Sequence, residues 1–106
     1  MEDTKVERVR EAIQHLAAEF LSAESNRTSL ITVTSVRLSP RGDKAAVCIT
    51  VYPEDSEMSA LEFSKRNAGA FREFVSTRLS LRLLPYFSFE IDRGEKMRQK
   101  LEGLSS

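Results

Sequence analysis

Residues 65–92 read KRNAGAFREFVSTRLSLRLLPYFSFEID, and few folds accommodate such a stretch. Ala68, Phe71, Val75 and Leu79 recur at helical spacing, continuing a stripe that begins at Leu61. Pro85 cannot continue a helix, because it has no N–H and its ring clashes with the preceding turn. Beyond it Phe87, Phe89 and Ile91 alternate with polar residues, the period of a strand with one buried face. Helix, turn and strand in that order outline half of a small α+β domain. Inside the helix, Gly69 stands where alanine would be better by about 1 kcal/mol. Asn67 carries an amide that competes for backbone groups. Both irregularities fall together, so the sequence predicts a break or bend at Asn67–Gly69, caused by a kink or by close approach of another backbone.

The rest of the chain supplies the other half. A first helix is expected over Thr4–Ala23, opened by a capping box of Thr4 and Glu7, with Val6, Val9, Ile13, Leu16, Ala17 and Phe20 on one face. Ser22–Ser29 reads as a polar loop. Leu30–Leu38 and Lys44–Tyr52 read as strands, and the short Ser39–Asp43 connection, with Pro40 and Gly42, makes them an antiparallel hairpin. In the first strand Ile31 and Val33 have the opposite parity to Val36 and Leu38, so a bulge near Thr34 or Ser35 is needed to bring both pairs to the core. In the second, Ala45, Val47, Ile49 and Val51 face inward, while Thr32, Thr34, Arg37 and Thr50 are expected to face water.

Pro53 ends that strand. The acidic Glu54–Glu57 run fits a helix N-terminus, where the dipole favours carboxylates. The long helix is expected from Ser56 or Ser59 to Leu79. Phe63, Ala70, Phe74 and Leu81 form a second apolar stripe, with Lys65, Arg66, Arg72, Glu73, Ser76 and Thr77 on the polar arc. A last helical or 3₁₀ turn over Ser80–Leu84 precedes a strand at Tyr86–Asp92, and residues 93–106 form a short tail helix that frays. One three-stranded sheet covered on one face by helices is the economical packing for a single domain over residues 1–106.

Composition excludes several functions. At 41% hydrophobic and 30% charged residues the chain is an ordinary globular protein. It has no apolar run near the roughly 20 residues that span a bilayer, and its N-terminus lacks a signal pattern, so a cytoplasmic protein without membrane contact is expected. Cys48 and His15 are the only residues of their kinds, which rules out a disulfide or a zinc cluster of Cys and His. Cys48 reads as a small core residue and His15 as a surface partner of Glu19. No phosphate loop, nucleophile elbow or His-rich helix is present. The expectation is therefore no catalytic residue, no metal and no cofactor. Net charge is zero, but its distribution is uneven. Residues 1–64 hold 7 basic and 11 acidic side chains, whereas residues 65–100 hold 9 basic and 4 acidic, a pointer to polyanion contact.

The element order matches an RNA-binding architecture, the type II KH domain, which clamps nucleic-acid backbone with a Gly-x-x-Gly loop. The glycines here stand at 42, 69, 94 and 103, and no two are three apart. A more specific resemblance lies in Asn67-Ala68-Gly69 followed by Phe71-Arg72, in Leu30–Val36, in Ala45–Val51, and above all in Arg78–Asp92 with its Arg/Leu-rich turn, proline and aromatic strand. Arg8-Val9, Gly94 and Met97 add to it. Together these residues resemble the ribosome-binding factor A family, whose type II KH-like fold replaces the Gly-x-x-Gly loop with an Ala-x-Gly helical kink. Asn67 departs from that pattern at its first position.

The resemblance implies a non-catalytic factor, without cofactor, that binds the immature small ribosomal subunit and its rRNA, in contact with ribosomal proteins as well, and assists late maturation, with cold adaptation as a common context. A monomer is expected when free. Cations neutralise phosphates, and arginine's planar fork suits bidentate contact. Arg72, Arg78 and Arg82 are the first candidates for RNA contact, with Lys65 and Arg66 before the kink and Arg93, Lys96, Arg98 and Lys100 extending the patch. Arg78 and Arg82 are equally suited to capping helix-end carbonyls. The alternative is a protein-interaction module using the open sheet face or a sheet edge.

Overall fold

The computed structural model describes residues 2–24 and 29–105. Helix α1 spans Glu2–Glu24, and Ile13, Ala17, Phe20 and Leu21 bury its inner face, with Val9 and Leu16 packed at the margin. It begins before Thr4, which therefore lies within the helix rather than ahead of it. Ser22–Glu24, expected to begin a loop, instead continue α1, and residues 25–28 of that loop lie outside the described residues. Strands β1 (Leu30–Leu38) and β2 (Lys44–Tyr52) follow as expected, joined by a turn in which Gly42 takes φ +75°. That left-handed conformation is the one glycine adopts without penalty. The turn is closed by Gly42 N–H donating to Ser39 O at 2.9 Å and by Ser39 Oγ donating to Asp43 at 2.8 Å.

The helix expected after Pro53 is divided. A 3₁₀ turn at Glu54–Ser56 leads into α2 (Glu57–Arg66), and α3 (Ala68–Arg78) follows after Asn67 alone. Leu79 is extended, so Ser80–Leu84 is not a last helical turn but an irregular segment leading to β3 (Tyr86–Ile91). Helix α4 (Arg93–Ser105) ends the described chain. The sheet order is β1-β2-β3, with β2 antiparallel to β1 and parallel to β3. A parallel pair needs a crossover connection; here α2 and α3 provide it and cover one sheet face. Among the described residues the result is an α+β fold of four helices and a three-stranded mixed sheet.

The register carries the predicted bulge. Val33 opposes Ile49 and Ser35 opposes Cys48, leaving Thr34 as the extra residue. Its insertion restores parity, so Ile31 and Val33 reach the same core as Val36 and Leu38. Ala45, Val47 and Ile49 from β2 and Phe87 and Phe89 from β3 are buried there as expected. Phe71 is fully buried at the centre, with ring centroids 5.3 Å from Phe20, 4.7 Å from Phe87 and 5.9 Å from Phe89. Two residues depart from the expected stripes. Ala70 is exposed, and Ser64 is fully buried with its hydroxyl donating to Ala60 O at 2.9 Å, which removes the cost of burying it.

The other sheet face is less open than expected. Arg37 on β1 pairs with Glu90 on β3, and the ion pair spans β2. Beneath it Cys48 is 5% exposed, with its thiol 3.5 Å from Glu90 Oε1. Cys48 is thus buried, but outside the helix-covered core, and desolvation by burial raises its pKa. Thr50 is also buried rather than facing water.

Thr34 does not face water either. Its hydroxyl donates to Asp92 Oδ2. Asp92 Oδ1 accepts from Glu95 N–H at 3.0 Å, and its backbone carbonyl from Lys96 N–H at 3.0 Å. One carboxylate therefore caps α4 and holds the bulge. The Thr34 hydroxyl, and then the Glu95 N–H, keep the Asp92 carboxyl below its ordinary value. A carboxylate depressed in the folded state stabilises the fold above its unfolded pKa, about 4, and that contribution is lost as pH falls through the lowered folded value. Asp92→Ala should cost about 1–2 kcal/mol at pH 7. In urea titrations the gap to the unsubstituted protein should narrow steadily below about pH 4.

Candidate nucleic-acid interface

The kink is built by Asn67. Its φ of −99° and ψ of 9° lie off the helical values, yet almost no backbone bond is lost. Its N–H donates to Phe63 O at 3.2 Å and Ser64 O at 3.1 Å, its side-chain Nδ2 donates to Phe63 O at 2.8 Å, and its own carbonyl accepts from Phe71 N–H at 2.8 Å. The amide thus closes α2 while the carbonyl opens α3. Gly69 has no close neighbour: a Cβ built there would meet nothing within 4 Å. Close approach of another backbone is therefore not the reason for this glycine. Its effect is to leave bare backbone on the exposed side of α3.

Beside it lies a groove of about 390 Å³, lined by Ala68, Gly69, Arg72, Glu73, Ser76, Leu84, Tyr86 and Phe87. Arg72 organises its floor. Nη2 donates to Leu84 O at 3.0 Å and Nε to Pro85 O at 3.1 Å, while the guanidinium carbon lies 4.1 Å from the Tyr86 ring centroid. These contacts fasten α3 to the segment entering β3 and occupy two of the five N–H donors of the side chain. Tyr86 itself is 67% exposed.

The sequence-predicted cations are spread over several elements. Lys65 and Arg66, in the last turn of α2, are exposed beside the kink and form no ion pair among the described residues. Arg78 turns toward α1, donating to Glu19 Oε2 at 3.2 Å and lying 4.6 Å from the Phe74 ring centroid. Glu19 is therefore the partner of Arg78, and the expected His15–Glu19 pair is not formed. Arg82 is exposed in the segment before β3, and Arg93 is exposed at the start of α4. The carbonyl-binding role considered for Arg78 and Arg82 belongs to Arg72, whose acceptors lie in the loop rather than at a helix end.

Helix α4 differs most from a simple basic extension. Lys96 is 22% exposed between Glu57 at 2.8 Å and Glu54 at 3.1 Å. Hydrogen bonding first to Glu57 and then to Glu54 raises its pKa, and the same contact lowers that of Glu54. Arg98 pairs with Glu95 and Glu102, and Lys100 lies 3.9 Å from Glu54. The acidic run before α2 thus holds α4 as well as facing a helix N-terminus. This cluster meets α2 at its N-terminal end, and the kink lies at the other end of that helix. Among the described residues, no group of His, Cys, Asp and Glu could hold a metal, and no helix is long and apolar enough to cross a membrane.

Comparison with known proteins identifies the family. The family model described as ribosome-binding factor A matches residues 5–105. Ribosome-binding factor A of Cellvibrio japonicus is 29% identical, the match covering 97% of this chain and 79% of that one, and its counterpart from Magnetococcus marinus is 27% identical over 94% and 85%. The crystal structure of ribosome-binding factor A from Thermus thermophilus superposes with a TM-score of 0.73 at 26% identity, covering 81% of this chain and 94% of that one. A Thermus thermophilus homology model fitted into a cryo-EM map of a complex with the 30S subunit gives a TM-score of 0.69 at 27% identity, covering 79% and 91%. By sequence and by fold, this chain belongs to the ribosome-binding factor A family, a family of ribosome-binding factors and not of enzymes.

Proposed function

We propose that this chain binds the immature small ribosomal subunit and its rRNA, with ribosomal proteins at the margin, and assists late maturation and rRNA processing as a cytoplasmic monomer, including in the cold. Family membership supports the reading, as does the Thermus relative fitted into a 30S complex. The observation that carries it is the pairing of Lys65 and Arg66, without intramolecular carboxylates among the described residues, with the bare backbone of Gly69 and the Arg72–Tyr86 groove. Cations, an unobstructed backbone and an exposed ring are what a sugar-phosphate chain with splayed bases requires. Arg82 and Arg93 are outer contacts in this reading. Arg78, Lys96, Arg98 and Lys100 contribute less, since each must exchange a carboxylate for a phosphate. A protein-docking role for the open sheet face has less support, because Arg37 and Glu90 close over its centre.

Co-sedimentation with purified small subunits at low salt should be lost as salt rises. Lys65→Glu with Arg66→Glu should weaken binding at least about tenfold and reduce the salt slope by roughly two; unchanged affinity would remove the kink from the interface. Gly69→Ala separates folding from binding. It should raise stability by about 0.5–1 kcal/mol, readable in urea, while weakening subunit binding if backbone approaches there. Arg72→Ala should cost about 1–3 kcal/mol of stability through the lost carbonyl bonds and ring contact.

A further inference from the structure

A second groove, of about 210 Å³, lies between the N-terminal turns of α1, the hairpin turn and the segment before β3, and shares no lining residue with the kink groove. Its wall is aliphatic, made by Val6, Val9, Leu38, Leu81, Leu83 and Pro85. Single exposed aliphatic residues are common on proteins, but here Val6 at 46% and Leu83 at 51% exposure sit on one concavity. The charged residues that line it are Lys5 and Arg82, both cations, and neither forms an ion pair among the described residues. The nearest acid in the hairpin turn, Asp43, already accepts the Ser39 hydroxyl at 2.8 Å.

These features select the occupant. The volume is below the roughly 300–1,000 Å³ typical of small-molecule sites and suits one large apolar side chain. The lining offers no aromatic ring to stack a base and no side-chain amide or hydroxyl to read a base edge. We propose that this groove docks an acidic segment of a partner protein, seating one apolar side chain against Val9, Leu38 and Leu81 and placing flanking carboxylates on Lys5 and Arg82. The inference stands apart from the RNA reading except at Arg82, which it assigns to the protein partner. Burial of one large aliphatic or aromatic side chain is worth roughly one to two decades of affinity, and the two cations add selectivity for acidic flanks.

The test is an NMR titration of the ¹⁵N-labelled full chain with two synthetic decapeptides, each carrying a single leucine or phenylalanine between aspartates. The expected result is saturable shifts at residues 5–9, 38–42 and 81–84. Affinity should fall at least about tenfold when the peptide's anchor becomes alanine, when its aspartates become asparagines, and in Val6→Asp. Leu83→Asp provides an independent check should the first variant fail to fold. Absence of shifts at these residues with both peptides at millimolar concentration would overturn the proposal. So would equal binding of the uncharged peptides, groove shifts caused instead by a single-stranded RNA oligonucleotide, or groove shifts on concentrating the chain alone. None of these outcomes involves ribosomal subunits, so this proposal and the RNA reading fail separately.

Discussion

The edge-on contact of Phe71 with Phe87, and the neighbouring contact with Phe20, join three elements that are distant in sequence. Through one buried ring, α1, α3 and β3 are fixed to a common centre. Losing a buried phenylalanine ring typically costs about 3–5 kcal/mol, a large part of the roughly 5–15 kcal/mol that holds a domain together. The same contact sets the rotation of α3. With Phe71 inward, the next residue emerges about 100° further around the helix, beside the carbonyls of Leu84 and Pro85, and Arg72 meets them there. The kink groove follows from that packing.

Much of this was legible in the sequence, for identifiable reasons. The hairpin strands were readable to the residue because Ser39–Asp43 and Pro53 punctuate them with turn chemistry. The Thr34 bulge was readable because a strand with mismatched apolar parity has few other solutions. The helix break was readable because Asn67 and Gly69 are both poor helix formers, although it is the Asn67 side chain that closes the preceding turn. What sequence did not reveal is where α3 unwinds. Once Leu79 is extended, the helical stripe no longer applies to Leu81 and Arg82, and the carbonyl-binding arginine, Arg72, is found nearly two turns earlier than Arg78. Nor does spacing reveal that Ser64 can be buried once its hydroxyl turns back on Ala60, or that Asp92 and Thr34, separated by most of the domain, form a bond.

The charge pattern was read correctly in sum but not in detail. Nine cations in the second part of the chain are not one patch. Ion pairing joins α4 to the start of α2 through Lys96, Glu54 and Glu57 and withdraws Arg78 toward α1, leaving Lys65 and Arg66 without a carboxylate among the described residues. Neutral overall charge and a locally cationic surface are compatible because the acids lie elsewhere, six of the sixteen on α1 and others, such as Glu54 and Glu57, against α4.

The parallel pairing of β2 with β3 has a consequence for how these parts persist. The hairpin closes across residues 39–43, whereas β3 returns to β2 only after residues 53–85. Chain-entropy scaling makes the longer closure costlier by about 1.5–2 kcal/mol. The hairpin's contacts are local, while both grooves depend on the segment that leads into β3. Departure of β3 from the sheet therefore dissolves both surfaces together while the hairpin keeps its own pairing, so amides of β3 and its approach should exchange with solvent through smaller openings than those of β2. The part of the domain that presents the binding surfaces is the part whose order depends on contacts made across the longest stretch of chain.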